Sequence, residues 1–237
     1  MEIIIVRHGT TFMNELGLGY DNFGKDEIYH LSEQGKTDAI RTGKYLATFG
    51  KFDKVFCSPR HRCLETFDLI KPSISYKNFE ISKLVMESRQ GILNGLDKDE
   101  RDKIIAKNTK LSTLKHKFKA ETNPFKKAKA HKKYIDERER YLKKTKISKI
   151  RQNYSKFLRK ISREKCKRIL VIGHGGTVND IAQIVCNINY YDDILLAFGD
   201  KNQLIFNKGG CVMTGILYEN KKFSLVIPPN NRQTLIE

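Results

Sequence analysis

Two short apolar segments, far apart in the chain, both end in a histidine that is followed by glycine. The first segment, Glu2 to Val6, is followed by Arg7 and His8, and the second, Arg168 to Gly173, is followed by His174. Brief β-branched runs of this kind indicate buried strands. Because ligands of open α/β sheets bind beyond the carboxyl ends of the strands, we expect both histidines at one ligand-binding edge.

Strand-like and helix-like segments alternate along most of the chain. Further strands are predicted at Asp53–Cys57, Phe79–Val85, Cys211–Tyr218 and Phe223–Ile227, and helices at Thr37–Phe49, Ser58–Ile70 and Thr177–Cys186, with a loop over Gly17–Gly24. This alternation is typical of an α/β sheet that has helices on both faces. We therefore predict a three-layer α/β/α sandwich whose central sheet is mostly parallel.

The positive charge is concentrated in one segment. The chain of 237 residues has 45 basic and 27 acidic residues, a net charge of +18. Lys98 to Arg168 holds 27 basic and 8 acidic residues, or +19, which leaves −1 for the remainder. We interpret residues 97–167 as a lysine-rich, mostly helical insert in a nearly neutral body. Since like charges repel, we expect Lys126 to Lys133, with five lysines in eight residues, to be mobile.

Four short segments combine arginine, histidine, glutamate and glycine at defined spacings. They are Ile5–Thr10 followed by Asn14, Cys57–Arg62 followed by Thr66, Glu87–Gly95, and Ile172–Thr177. In this order they resemble the motifs of the histidine phosphatase superfamily, in the branch that contains cofactor-dependent phosphoglycerate mutase. The resemblance covers residues 2–95 and 168–227, and it implies a single domain over residues 1–237 with the phosphoglycerate mutase-like fold.

The resemblance also implies a role for each motif residue. His8 attacks phosphorus and becomes phosphohistidine, and Glu87 protonates the leaving alcohol. The phosphate is bound by a set of donors, namely Arg7, Asn14, Arg62, His174 and the backbone amide of Gly175. These residue types suit phosphoryl transfer, which depends mainly on positioning and on positive donors around the phosphate. No metal or other cofactor is expected, and the sequence shows no cluster of metal ligands. Arg60 and His61 are expected to be surface residues, and the sequence indicates no partners for His30, His116 and His131.

Three functions remain open at this point. The first is a phosphomonoester hydrolase, whose partner is a phosphorylated small molecule, conceivably a polyanion attracted by the basic insert. The second is a phosphoglycerate mutase, which is disfavoured because Ser88 follows Glu87 where the glycolytic mutases have Arg, and because no Arg-Arg pair occurs. The third is a non-catalytic protein that binds a polyanion or a nucleic acid, which is not favoured because every expected catalytic residue type is present.

The cellular setting is indicated by composition. Five cysteines, an odd number without a Cys-x-x-Cys pair, favour a reducing compartment over a disulfide framework. The sequence has neither a secretory signal pattern at Met1 nor an apolar run long enough to span a membrane. We therefore expect a cytoplasmic protein without a membrane partner, and the sequence leaves its oligomeric state open.

Overall fold

A computed structural model describes residues 1–16, 30–87, 91–93, 96, 98–144, 146–188 and 211–230. The strands of this part of the chain are β1 (Glu2–Arg7), β2 (Phe52–Cys57), β3 (Tyr76–Ile81), β4 (Arg168–Gly173), β5 (Met213–Glu219) and β6 (Lys222–Asn230). They form one sheet in the order β3-β2-β4-β1-β5-β6. The loop predicted over Gly17–Gly24 lies outside the described residues.

Strand pairing brings the ends of β1 and β4 together. The two strands are parallel neighbours in which Arg7 lies opposite Gly173. The backbone N–H of His8 continues this pairing by donating to the Gly173 carbonyl at 2.9 Å. Strands β2 and β3 run in the same direction as β4, whereas β5 is antiparallel to both of its neighbours, β1 and β6. The prediction of a mostly parallel sheet is therefore confirmed.

Helices cover both faces of this sheet. Outside the segment predicted as an insert they are α1 (Phe12–Glu15), α2 (Glu33–Ala47), α3 (His61–Ile70) and α8 (Gly175–Val185). Within that segment they are α4 (Lys98–Ala106), α5 (Thr109–Ala120), α6 (Pro124–Tyr141) and α7 (Ile147–Ile161). Among the described residues, none of the helices is both long enough and apolar enough to cross a bilayer.

Side chains of the central strands point alternately to the two faces of the sheet, so the core has two layers. Ile4 and Val6 of β1 pack with apolar residues of α2 and α3, whereas Ile3 and Ile5 pack with those of α7 and α8. A period of two is what a strand requires when both of its faces are buried between helices. The three-layer α/β/α sandwich is therefore confirmed.

Helix α7 belongs to this core although it lies inside the range 97–167. Its stripe of Ile150, Tyr154, Phe157 and Ile161 is buried and faces the sheet, as the spacing of three and four residues predicts. Lys149, Lys156 and Arg159 of α7 are exposed, whereas Arg151 faces α8 and donates to Gln183 Oε1 at 3.2 Å. Most of the positive charge of this helix is thus spread over an outer surface of the sandwich.

Helices α5 and α6 form an antiparallel pair joined by a short connection. Asn123 caps α6, and its side chain accepts a hydrogen bond from the Lys126 amide at 3.1 Å. Lys126 to Lys133 lies within α6, where Ala128 and His131 are buried, so the expectation of a mobile segment is wrong. The lysines are tolerated in a helix because most of them point to solvent, where their mutual repulsion is screened.

Candidate phosphate-binding site

The turn after β1 is held by close backbone packing. A Cβ atom on Gly9 would lie 2.5 Å from the Gly35 carbonyl oxygen, so glycine is required where this turn meets the first turn of α2. The Gly9 amide donates to Thr66 Oγ1 at 3.0 Å, and Thr66 Oγ1 donates to the Arg62 carbonyl at 2.6 Å. This chain of bonds fixes His8 relative to helix α3.

Arg62 connects the two histidines. Its Nε donates to His8 Nε2 at 2.9 Å, and its Nη2 donates to His174 Nδ1 at 2.9 Å. The rings of the two histidines are 5.4 Å apart between centroids and inclined by 70°. His8, Arg62 and His174 are 1%, 3% and 0% exposed, so this cationic fork lies in a site from which water is largely excluded. A guanidinium in such a site attracts an anion strongly.

The hydrogen bonds of His8 determine its tautomer. Because Arg62 can only donate, His8 Nε2 is the acceptor, and His8 Nδ1 therefore carries the proton and donates to the Gly9 carbonyl at 2.7 Å. Burial, followed by the positive charges of Arg62 and Arg7, lowers the pKa of His8 well below 6.5. His8 is thus neutral at physiological pH, with the Nε2 lone pair directed into the site.

His174 directly follows β4, as His8 directly follows β1, and it is the N-cap residue of α8. Its Nε2 lies 2.9 Å from Ser58 Oγ, and its backbone N–H donates to Thr177 Oγ1 at 3.0 Å. Burial and the charge of Arg62 lower the pKa of His174 well below 6.5. The His174 ring is therefore neutral beside the positive charge of Arg62. A positive charge on this ring as well requires an anion in the site to offset it.

Glu87 lies at the more open side of the cluster. Its Oε2 is 3.3 Å from Arg62 Nη2 and 3.7 Å from His174 Nδ1, and its side chain is 31% exposed. A Cβ atom added to Gly176 would lie 3.8 Å from Glu87 Oε1, which places the carboxyl beside the N-terminus of α8. It can reach both a bound group and solvent, as a residue that exchanges protons must.

Arg7, Asn14 and Gly175 complete the site. Arg7 Nη2 donates to Asn14 Oδ1 at 3.4 Å, and Asn14 Oδ1 also accepts from the Thr11 amide at 3.2 Å. The position of a Cβ atom on Gly175 is 3.8 Å from Arg7 Cδ. The structure therefore brings together all of the residues predicted from the motifs, and their donors and the N-terminus of α8 converge on one pocket suited to a phosphate.

Several residues that shape the site were missed in the sequence. Arg60, expected at the surface, is 8% exposed, and its charge contributes to the lowered pKa of His174. Tyr154 donates to the Met86 carbonyl at 3.2 Å, and Thr177 Oγ1 donates to the Val85 carbonyl at 3.0 Å, so both hold the segment that carries Glu87. The signal in the sequence was only the apolar stripe of α7 and the threonine that follows Gly175-Gly176.

A group of metal-ligand type, absent from the sequence prediction, is also present. Ligand atoms of His30, His61 and Glu65 all lie within 4.8 Å of one another at the surface near α3. Sequence spacing could not show this group, because His30 is 31 residues from His61 and the fold alone brings them together. His30 is exposed and His61 is partly exposed, and they contact each other and Glu65, which are partners that the sequence did not indicate.

The fold and the site define a class of α/β proteins in which two histidines and two arginines meet at the ends of parallel strands. Residues 3–123 match the model of the histidine phosphatase superfamily (branch 1). The chain belongs to that superfamily, as the resemblance of its motifs predicted.

Relatives within the superfamily include both phosphatases and mutases. The chain is 39% identical over 80 residues to the mitochondrial serine/threonine-protein phosphatase Pgam5 of Drosophila persimilis, which is 33% of this chain and only 25% of that protein's length. It is 23% identical over 202 residues to the 2,3-bisphosphoglycerate-dependent phosphoglycerate mutase of Wigglesworthia glossinidia brevipalpis, covering 80% of this chain and 84% of that one. The phosphoglycerate mutase structure from Bacillus anthracis shares the fold, with a TM-score of 0.68, 19% identity and coverage of 96% and 92%.

Proposed function

We propose that the protein hydrolyses phosphomonoesters through a phosphohistidine formed at His8. The observation that supports this most directly is the bond from Arg62 Nε to His8 Nε2 at 2.9 Å. In this bond the Nε2 lone pair of a neutral, buried imidazole faces the guanidinium of Arg62, a group that binds anions well. A phosphate oxygen that takes over this Arg62 donor releases the lone pair for attack on phosphorus.

Each step of the proposed reaction is assigned to a side chain of the site. His8 Nε2 forms a bond to phosphorus as the ester P–O bond breaks, and the leaving oxygen takes a proton from the Glu87 carboxyl. The bond from His8 Nδ1 to the Gly9 carbonyl stabilises the positive ring that results. Water then attacks phosphorus, Glu87 accepts its proton, and the N–P bond breaks to release phosphate. Arg7, Arg62 and His174 bind the equatorial oxygens throughout.

A phosphoglycerate mutase is the second candidate, and the similarity to the Wigglesworthia enzyme over 84% of its length favours it. The sequence favours hydrolysis because Ser88 follows Glu87, and because no Arg-Arg pair occurs that would match the pair in the mutases. A mutase has to hold a substrate carboxylate as well as a phosphate, so these substitutions remove charge where the second anion would bind.

Phosphate release from a panel of phosphoesters tests this proposal. The panel contains 3-phosphoglycerate, sugar phosphates, nucleotides, phosphoserine peptides and inositol polyphosphates, and formation of 2-phosphoglycerate is followed in parallel. We expect release by the wild type that is reduced at least about a thousandfold in His8→Asn, since the nucleophile is removed. The matched control is His116→Gln, which removes an exposed histidine of α5 and leaves release unchanged.

The other outcomes of this experiment are equally informative. Isomerisation of 3-phosphoglycerate without release would show a mutase. No turnover of any compound by folded protein would leave the binding function, and titration with nucleic acid at several salt concentrations would then measure it.

We further propose that the substrate is a phosphorylated small molecule that the basic surface attracts when it carries several phosphates. This is supported by the exposed lysines of α6, among them Lys126, Lys129 and Lys133. A cytoplasmic location is proposed on the composition of the chain. All five cysteines are within the described residues, and each is a free thiol there.

A further inference from the structure

Three side chains near the start of α3 have the geometry of metal ligands. His30 Nδ1 lies 3.0 Å from His61 Nε2, and Glu65 Oε2 lies 3.5 Å from His30 Nδ1 and 3.8 Å from His61 Nε2. Their side chains are 52%, 38% and 19% exposed in the order His30, His61, Glu65. They form a shallow surface site that is separate from the His8 pocket and contributes nothing to the proposed hydrolysis.

We propose that His30, His61 and Glu65 bind a divalent transition-metal ion of the Zn²⁺ type. A point equidistant from three atoms at these separations is about 2.0 Å from each of them, which is the length of Zn–N and Zn–O bonds. One ion can therefore contact all three ligand atoms without movement of the backbone. Two imidazoles and one carboxylate bind Zn²⁺ in preference to Mg²⁺ or Ca²⁺, because the latter two ions take oxygen ligands.

The local structure orients these ligands. His61 and Glu65 are four residues apart on α3, so both side chains project from the same face of the helix. Glu65 Oε2 also accepts a hydrogen bond from the Leu31 amide at 2.9 Å. A hydrogen bond from a neighbouring donor holds a ligating carboxylate in place, and such bonds are common around bound metals. The exposed side of the group leaves room for water as a further ligand.

Metal binding would join two elements that both contribute to the phosphate site. His30 precedes Leu31, which forms a β-bridge with Thr11, and Ser32, which caps α2. His61 precedes Arg62, which contacts both catalytic-site histidines. An ion held by both segments therefore clamps the start of α2 to the start of α3 next to the pocket. This inference concerns binding and stability, and it does not depend on the proposed function.

Titration of the full-length protein with Zn²⁺ in a calorimeter, and with Co²⁺ in a spectrophotometer, tests the site. We expect one Zn²⁺ per chain, and Co²⁺ should give the visible bands of a site with nitrogen and oxygen ligands. His30→Gln and Glu65→Gln should each weaken Zn²⁺ binding at least tenfold. Gln at position 65 is chosen because its carbonyl can still accept from the Leu31 amide, so that variant removes the charge and keeps the hydrogen bond.

Two further variants separate this site from other histidines. His116→Gln removes an exposed histidine elsewhere, and His8→Asn removes the catalytic-site nucleophile, and both should bind Zn²⁺ like the wild type. Zn²⁺ should also raise the melting temperature of the wild type and of His116→Gln but not that of His30→Gln. The proposal is overturned if the wild type binds no Zn²⁺, in which case the two histidines share only a hydrogen bond. It is also overturned if folded His30→Gln and Glu65→Gln bind Zn²⁺ with unchanged affinity.

Discussion

At the scale of single residues, the His8 Nε2 lone pair and an entering phosphate compete for the same N–H donor of Arg62. Arg62 donates to His8 Nε2, the atom that attacks phosphorus in the proposed reaction. The same guanidinium lies 3.3 Å from Glu87, so an entering phosphate has to share it with a carboxylate as well. Substrate binding therefore exchanges bonds within the site, and the nucleophile becomes available only when an anion takes the donor.

Glu87→Gln is expected to slow the hydrolysis of alkyl phosphates by about 10²- to 10⁴-fold, because an alkoxide leaves poorly without a proton donor. With p-nitrophenyl phosphate, whose leaving group needs no proton, the first turnover should be nearly unchanged and later turnovers slow. Burst kinetics in a stopped-flow instrument measure both phases. Glu33→Gln, on the exposed face of α2, is the control. An equal loss in both phases and with both substrates would mean that Glu87 only binds phosphate.

The lowered pKa of His8 predicts how stability depends on pH. The unfolded chain takes up a proton at position 8 near pH 6.5, whereas the folded protein does so only at lower pH. Stability is therefore complete above pH ~6.5 and decreases as the pH falls below that value toward the folded pKa. The slope is up to about 1.4 kcal/mol per pH unit for this histidine.

Urea unfolding of wild type and His8→Asn across that range measures the effect. The variant should lose less stability between about pH 6 and pH 5 than the wild type, by as much as about 1.4 kcal/mol. Titrating groups remote from the site are common to both proteins and cancel in the difference, whereas His174, whose lowered pKa depends in part on His8, adds a smaller change of its own. Identical slopes would show that His8 titrates normally in the folded state.

At the scale of elements, α7 and α8 together determine where Glu87 lies. Tyr154 on α7 bonds to the Met86 carbonyl, and Thr177 on α8 bonds to the Val85 carbonyl. These two bonds act on consecutive residues directly before Glu87. The carboxyl is thus positioned by helices on the opposite side of the sheet from α2 and α3, which position His8 and Arg62.

Tyr154→Phe should lower the free energy of unfolding by about 1 kcal/mol, since the Met86 carbonyl loses its donor while the ring still fills its place. We also expect kcat for alkyl phosphates to fall several-fold with little change in KM, because Glu87 is displaced and the phosphate donors are not. Chemical unfolding and steady-state kinetics measure the two effects. Tyr45→Phe, on α2, is the matched control, and a loss of stability with unchanged kcat would limit Tyr154 to packing.

At the scale of the whole molecule, charge is distributed unevenly over a nearly symmetrical sandwich. The segment from Lys98 to Arg168 carries +19 and the remainder −1. A concentration of one sign of charge raises the local concentration of oppositely charged ligands and accelerates their association, and salt weakens both effects. A phosphatase of this form should therefore distinguish substrates by their total charge.

Replacing Lys126, Lys129 and Lys133 by Gln should lower kcat/KM several-fold for inositol hexakisphosphate and leave a monophosphate unaffected. The control replaces three exposed lysines outside the segment, Lys44, Lys51 and Lys71, and should change neither value. Steady-state rates at two ionic strengths complete the measurement, since only the polyanion should show strong salt dependence. Equal kcat/KM values in all three proteins would show that the basic surface does not take part in substrate selection.

The sequence predicted best those site residues whose place follows from their position at the end of a strand. His8 and His174 could be located because each follows an apolar strand, and parallel strands end at the same edge. Arg60 could not be assigned, since burial of a residue after Pro59 depends on contacts made by the folded chain. The group of His30, His61 and Glu65 was equally hidden, because His30 reaches the His61–Glu65 pair only through the packing of Leu31 against α3.

The order of the strands also has a consequence for biosynthesis. β1 lies between β4 and β5, so its first parallel partner begins at residue 168. Translation at about 5–20 residues per second separates the emergence of the two strands by roughly 10–30 s. Throughout that interval the nascent chain contains His8 but lacks the strand beside which it becomes buried and neutral. Under the proposed function, His8 therefore becomes a competent nucleophile only after β4 has emerged, and shorter polypeptides on the ribosome carry no phosphatase activity.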